Sequence, residues 1–263
     1  MLQEGILNAR EHGLDRRPAS VNLAASLWAS GRWGDLAPLL ADMAEDWPEV
    51  SVGDQVIFEA TTVWCRRAGR ELDLPARVGT SDDLNWQSWD AHLHALCAAE
   101  AGDQVSAGVH AAQCLQRALE DAGMSDDYIA QVPRMVRVAV ECERLDAAAA
   151  MVAQLEGAPR TSAVSGLHAY ARALRGVVGA HTDADPAQVE ADLRAGIEAL
   201  EEYGAVPDRA LAQEDLGRWL LEQGRAEEAG PHLEAARGTY TDLGATNWLA
   251  RLDSLVLSAG GIR

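Results

Sequence analysis

The side chains best spaced to hold a metal are Asp90, His94 and Cys97, which lie three or four residues apart and share one helix face. His110 and Cys114 on the following helix could approach them. Zinc needs a tetrahedral set, so a fourth ligand would have to come from another helix. His92, two residues from His94, points elsewhere. The plainer reading, adopted here, is a helix with one core cysteine and a solvated polar face, and no metal site. The acid pairs Asp82/Asp83, Asp126/Asp127 and Glu201/Glu202 have residue types suited to acid–base catalysis. They fall at helix starts or in polar stretches, where negative charge favours the helix amino terminus or simply stays solvated. No serine sits in a GxSxG elbow, and no glycine cluster has the strand–turn–helix setting of a dinucleotide loop. The chain is therefore expected to carry no active site and no cofactor.

Two other groups could recognise a partner. Arg66, Arg67 and Arg70 form a compact basic cluster, suited to carboxylates or phosphates. Of the eight tryptophans, set against a single phenylalanine, Trp86 and Trp89 are three apart at a helix start. Between the two groups runs GRELDLPARVGTSDD, from Gly69 to Asp83, the segment with the least helical character. Arg donors beside aromatic anchors make a combination expected at an interface hot spot. In the competing reading, the arginines pair with the acidic surface and both tryptophans pack beneath the loop.

The charge balance excludes further functions. Asp and Glu number 41 against 22 Lys plus Arg, a formal net charge of -19 at pH 7. Every basic residue is arginine, so a P-loop lysine, a Schiff-base lysine and a Ser–Lys pair are all ruled out. A surface this negative repels phosphate backbones and anionic lipid, so neither nucleic acid nor membrane is expected to bind this chain alone. No run of about 18 apolar residues occurs, and the opening MLQEGILNAREHG lacks the features of a secretory signal. Cys65, Cys97, Cys114 and Cys142 are scattered and read as reduced small hydrophobes of a cytoplasmic protein.

The elements that must position these groups are helices. Hydrophobic residues make up 48% of the chain, rich in Ala and Leu, and they recur at spacings of three and four almost from end to end. The pattern predicts helices near 2–12, 18–30, 34–46, 53–69, 83–101, 104–122, 126–142, 145–155, 160–179, 187–203, 207–223, 226–242 and 246–258. Short connections between them imply antiparallel hairpins stacked side by side in one domain, residues 1–263, with a capping helix near 246–258. The clearest hairpin begins at Asp208. Leu216, Gly217, Trp219 and Leu220 lie on its first helix, Gly224 makes the turn, and Ala229, Leu233, Ala236 and Tyr240 lie on its second. Gly31-Arg32, Pro38 and Leu40 repeat Gly224-Arg225, Pro231 and Leu233 at one constant offset, and Gly102 turns an intermediate copy.

The hairpin at 208–242 resembles a tetratricopeptide repeat, in which Leu216-Gly217 and the series Ala229, Leu233, Ala236 occupy the small and apolar positions. Leucine replaces that family's frequent aromatic, and Thr241 stands at its terminal proline, so the repeat is degenerate. LNAREHGL, LWASGRWGDLAPLL, CAAEAGDQ and LLEQGRAEEAGPHLEAARGTYTDLGATNWLARLDSL resemble the carboxy-terminal helical region of large bacterial LuxR-type and cyclase-associated signal-transduction ATPases. The Walker and helix-turn-helix motifs of those regulators do not occur here. The resemblance implies an all-α superhelix acting as a non-catalytic interaction or regulatory scaffold, either a piece of such a regulator or a relative that lost its other domains. Its partner would be a protein, a peptide or another domain of the regulator. The alternative is a sensor, in which the arc closes over a small-molecule effector.

Overall fold

The computed structural model describes residues 15, 17–75, 86–120, 127–157 and 165–260. Among them are twelve α-helices, two short 3-10 turns and no strand. The first half comprises α1 (Arg17–Ala29), α2 (Leu36–Glu45), α3 (Val52–Arg67), α4 (Gln87–Glu100), α5 (Gln104–Glu120) and α6 (Asp127–Glu141). The second comprises α7 (Leu145–Gly157), α8 (Ser165–Gly179), α9 (Pro186–Tyr203), α10 (Val206–Glu222), α11 (Ala226–Leu243) and α12 (Thr246–Gly260). Each lies within a few residues of its expected span. The helix expected at 2–12 and most of the connection expected at 69–83 fall outside the described residues.

One turn chemistry recurs along the chain. Gly31, Gly69, Gly102, Gly204, Gly224 and Gly244 all take positive φ after a helix, and Glu143 does the same at φ 58°. The residue after each donates its amide to a carbonyl five back: Arg32 to Leu27, Arg70 to Cys65, Asp103 to Ala98, Arg144 to Ala139, Ala205 to Leu200, Arg225 to Leu220 and Ala245 to Tyr240. These bonds satisfy helix-end carbonyls that would otherwise lack donors. The Gly-Arg signature in the sequence is this turn, and Glu143-Arg144 is a copy disguised by its glutamate. Helix starts are fixed just as locally: the Ser51 hydroxyl accepts from the Asp54 amide at 3.1 Å, and the Asp185 carboxylate from the Ala187 amide at 3.1 Å, ahead of Pro186.

Successive helices pack against one another from α3 to α12. Small residues set the closeness of the pairs: a Cβ on Gly217 of α10 would lie 2.3 Å from the Leu233 side chain of α11, and one on Gly196 of α9 would lie 2.5 Å from Ala173 of α8. The stack is not an open arc, because its two ends meet. The Asn247 amide at the start of α12 donates to the Ala68 carbonyl just past α3 at 2.9 Å, and the Thr246 hydroxyl to the Gly69 carbonyl at 2.9 Å. The Arg70 guanidinium donates to the Leu243 carbonyl at the end of α11 at 2.9 Å. Orphan amides at one helix start thus meet orphan carbonyls at another helix end. Beside this seam, Trp33 and Trp64 pack edge-on against Trp248 at 5.7 and 6.2 Å, and Trp28 stacks on Trp33 at 6.0 Å. Helix α1 also touches α10 directly.

Gly69 is the tightest point of the seam. Its φ of 95° disfavours a side chain, and a Cβ would lie 2.4 Å from the Asn247 nitrogen. Gly69→Ala is expected to cost at least about 2 kcal/mol in urea unfolding, from backbone strain and the overlap together, and to enlarge the radius of gyration in solution scattering. Gly34→Ala, where a Cβ meets nothing within 4 Å, should stay within about 0.5 kcal/mol. Equal effects would show that the seam is not under this constraint.

Candidate functional site

The arginine cluster expected to dock a partner is engaged within the chain. Arg66 donates to Glu100 on α4 at 2.7 Å, Arg67 to Glu141 on α6 at 3.0 Å, and Arg70 to the seam carbonyl of Leu243. Trp89 is core, 3% exposed, with its ring edge-on to His92 at 5.4 Å. Trp86 is half-buried over Gly53 of α3, where a Cβ would fall 2.2 Å from its indole. The five residues do not form an exposed hot spot. In an acidic chain, each guanidinium finds a carboxylate or a helix-end carbonyl nearby, and Gly53 leaves a flat bed for the indole.

The residues suited to metal do not converge either. Among the described residues, no group of three or more His, Cys, Asp or Glu side chains could hold an ion. His94 and His110 face each other at 5.2 Å. His92 is fully buried with neither ring nitrogen bonded, and burial, aided by the Arg134 charge, holds its pKa well below the usual value, so the ring is neutral. Burial pushes the Cys65 and Cys114 thiols up to about 12, which leaves them unreactive. Of the acid pairs, Glu201 and Glu202 are exposed, while Asp82, Asp83 and Asp126 fall outside the described residues.

Sequence reasoning missed what lies inside the closed stack. Helices α6, α8 and α10 point one face inward, and that face carries polar groups at helical spacing. Their amino-terminal portions supply Pro133 and Arg134, Tyr170, and Asp208 to one recess, with Trp28 of α1 as a wall. Further along the same helices, Arg137, Val177, Leu211 and Asp215 line a second, with Trp64, Trp248 and Arg251. The recesses are offset along this inward face, and their volumes are about 410 and 280 Å³.

In the larger recess, the mouth is formed by Ser26, Ser30, Tyr203 and Gly204, all exposed, and the polar groups lie at the buried floor. The Arg134 guanidinium, 4% exposed, stacks over Trp28 at 3.9 Å and stands 5.6 Å from Trp64. A stacked guanidinium keeps its five N–H donors in its own plane, and among the described residues they meet no hydrogen-bond acceptor. Burial lowers the Arg134 pKa, opposed by the charge of Asp208. Asp208, also 4% exposed, accepts from the Tyr170 hydroxyl at 2.8 Å. Burial raises its pKa, while the Arg134 charge, the Tyr170 bond and the Arg137 charge pull the other way. The two opposite charges thus influence each other without forming a contact pair. Pro133 has no N–H to offer the Ile129 carbonyl four residues back, so this wall of the recess also holds a backbone acceptor lacking its helical donor.

In the smaller recess the charged groups are paired within the chain, while the Trp64 indole N–H has no hydrogen-bond partner among the described residues. Arg137 pairs with Asp215 at 2.7 Å. Glu214, 1% exposed, accepts from Arg251 at 2.6 Å, Tyr240 at 2.7 Å and Arg218 at 3.0 Å. Burial opposes the Glu214 charge, but the bonds from Arg251 and Tyr240 and the Arg218 charge outweigh it and depress its pKa. The sequence signal for this interior was the run QVPRMVRVAV, in which two arginines interrupt apolar residues that are otherwise buried.

Trp89→Ala is expected to cost about 3–5 kcal/mol in urea unfolding, the scale of a large core truncation, and an unchanged midpoint would return Trp89 to the surface. Because the Glu214 pKa is depressed on folding, its contribution is present above the ordinary glutamate pKa and is lost as pH falls through the lower folded value. Glu214→Gln should cost about 1–3 kcal/mol at neutral pH, with the difference from the parent chain shrinking as acid is added; a pH-independent difference would contradict this. Comparison with known proteins leaves this geometry to speak for itself: no family model, no curated protein and no solved structure matches the chain.

Proposed function

We propose that the chain is a non-catalytic regulatory module of tetratricopeptide-like repeats, from or derived from a bacterial signalling or transcriptional regulator, and that it senses a small molecule held inside its closed stack. The observation that carries this reading is the recess floored by Arg134 and Asp208, where a largely buried guanidinium meets no hydrogen-bond acceptor among the described residues, in a space of about 410 Å³. That volume lies in the range of small-molecule sites, about 300–1,000 Å³. An extended peptide is the poorer fit, because the two ends of the stack meet through Asn247 and Ala68, and the inner face where repeat arcs take peptides is enclosed. The non-catalytic part of the reading rests on the engagement of Asp208 by Tyr170 and, among the described residues, on no nucleophile of lowered pKa beside it.

The recess draws on α1, α6, α8 and α10, from both ends of the chain, so an occupant would favour the closed stack over any opened form. That difference in affinity is what a sensor needs to pass its state to neighbouring domains or to a protein partner. A thermal-shift screen of metabolites tests the reading. A ligand at a hundred times its Kd should add about 2.7 kcal/mol of stability. Ala130→Phe, which fills the recess from its wall, should abolish the shift without unfolding the chain. If no small molecule stabilises the folded chain, or if Ala130→Phe leaves the shift intact, the sensor reading fails and a passive scaffold takes its place.

A further inference from the structure

Resting on that sensor reading, we propose that the larger recess takes a small zwitterion of the amino-acid class, with its carboxylate on Arg134, its ammonium on Asp208 and its apolar body against Trp28 and Tyr203.

The argument begins with Arg134. Its neighbours Val132, Met135 and Val136 are fully buried, and the guanidinium itself is 4% exposed. The Trp28 ring covers one face of the guanidinium at 3.9 Å, which satisfies the π-face and leaves the in-plane donors untouched. Buried donors without acceptors are costly, and more so when charged. The group that matches a planar fork of N–H donors is a two-oxygen anion bound bidentately, and a carboxylate has that shape.

Asp208 decides what the rest of the molecule must be. Its carboxylate shares the floor of the recess with Arg134 and receives the Tyr170 hydroxyl at 2.8 Å. An ionised carboxylate is acceptor-only and has room for further donors. A plain anion on Arg134 would face this second negative charge, and a phosphate would face it with more charge still. A plain cation on Asp208 would leave the guanidinium unmatched. A molecule with one carboxylate and one ammonium complements both, and it adds no net charge to a buried space that is already balanced. The Ile129 carbonyl, deprived of its helical donor by Pro133, is a further acceptor for the ammonium.

Size and walls complete the description. The volume of about 410 Å³ accommodates a single amino acid. Ala25, Ala29, Ala130 and the two aromatic rings provide an apolar surround, so a side chain of modest hydrophobic bulk is accommodated. The chain's net charge of -19 works against anionic ligands at long range and is indifferent to a net-neutral one.

The test uses the full chain and calorimetric titration of the twenty standard amino acids singly. The best binder is then compared with its amide, which lacks the carboxylate, and with its deaminated acid, which lacks the ammonium. The amino acid should bind at least tenfold more tightly than either. Arg134→Met, which keeps a stem over Trp28, should remove the preference for the amino acid over its amide. Asp208→Asn should remove the preference over the acid. If either variant fails to fold, the comparison on the unaltered chain still decides. An acid that binds as tightly as the amino acid overturns the role given to Asp208, and an equally tight amide overturns that of Arg134. If no amino acid binds while another small molecule stabilises the chain, the zwitterion assignment falls and the sensor reading stands. If nothing binds at all, both fall.

Discussion

The seam where α3 meets α12 governs the molecule. A stack of hairpins whose repeats only touch their neighbours has two unsatisfied ends, and each end must be covered by polar residues or by something else. Here each end covers the other. The carbonyls past α3 accept from the amide and hydroxyl at the start of α12, and the indoles of Trp28, Trp33 and Trp64 close around Trp248. Three of the tryptophans crowded into the first third of the sequence, Trp28, Trp33 and Trp64, serve this purpose. They provide a broad aromatic face, large enough to bury against one indole and one phenol, that of Tyr240, which lies 5.2 Å from Trp248. Had the ends stayed apart, the inward faces of α6, α8 and α10 would be an open groove. Joined, they line an interior.

Closure changes the electrostatics of whatever faces inward. Arg134, Arg137, Asp208, Glu214 and Asp215 would be ordinary surface charges on an open arc, and inside they must be matched. The smaller recess is matched by the chain alone, through Arg137 with Asp215 and Glu214 with Arg218, Tyr240 and Arg251. The larger one is matched only in part, through stacking on Trp28 and one phenol. The asymmetry is informative because both recesses are built by the same three helices, so the helical scaffold is not its cause. It comes from side-chain choice, with Arg137 opposite Asp215 within reach and Arg134 and Asp208 held apart.

Local rules reach some of this and stop short of the rest. The helices were legible because apolar spacing and glycine turns are properties of short windows: Gly31-Arg32 and Gly224-Arg225 mark the same five-back bond. The copy at Glu143 was hidden because a glutamate in left-handed conformation at φ 58° has no sequence signature. The closure was not legible, since it depends on the curvature accumulated over the stack and on pairs such as Thr246 and Gly69, which lie 177 residues apart. The partners of the arginine cluster are illegible for a related reason. Sequence leaves open whether Arg66, Arg67 and Arg70 face a partner or the chain's own acids, and the bonds they make are to residues distant in sequence, on α4, on α6 and at the end of α11. Arg134 was passed over because arginine in a helix is usually solvent-facing. Its signal is its place between Val132, Met135 and Val136, in a stretch where apolar residues leave little solvent face for it.

The two main features of the structure share a side chain. Trp28 is the wall on which Arg134 stacks, and it also packs against Trp33 and Trp64, which hold Trp248 at the seam. The guanidinium therefore borders the aromatic cluster that joins the ends of the chain. An acceptor bound in the plane of Arg134 fixes that plane, and with it the face offered to Trp28. On the proposed sensor reading, the energetic difference between a matched and an unmatched guanidinium would reach the aromatic contact at the seam. Coupling of this kind needs no route through the helices, only that a buried charge with an unmet requirement and an aromatic contact between chain ends be neighbours.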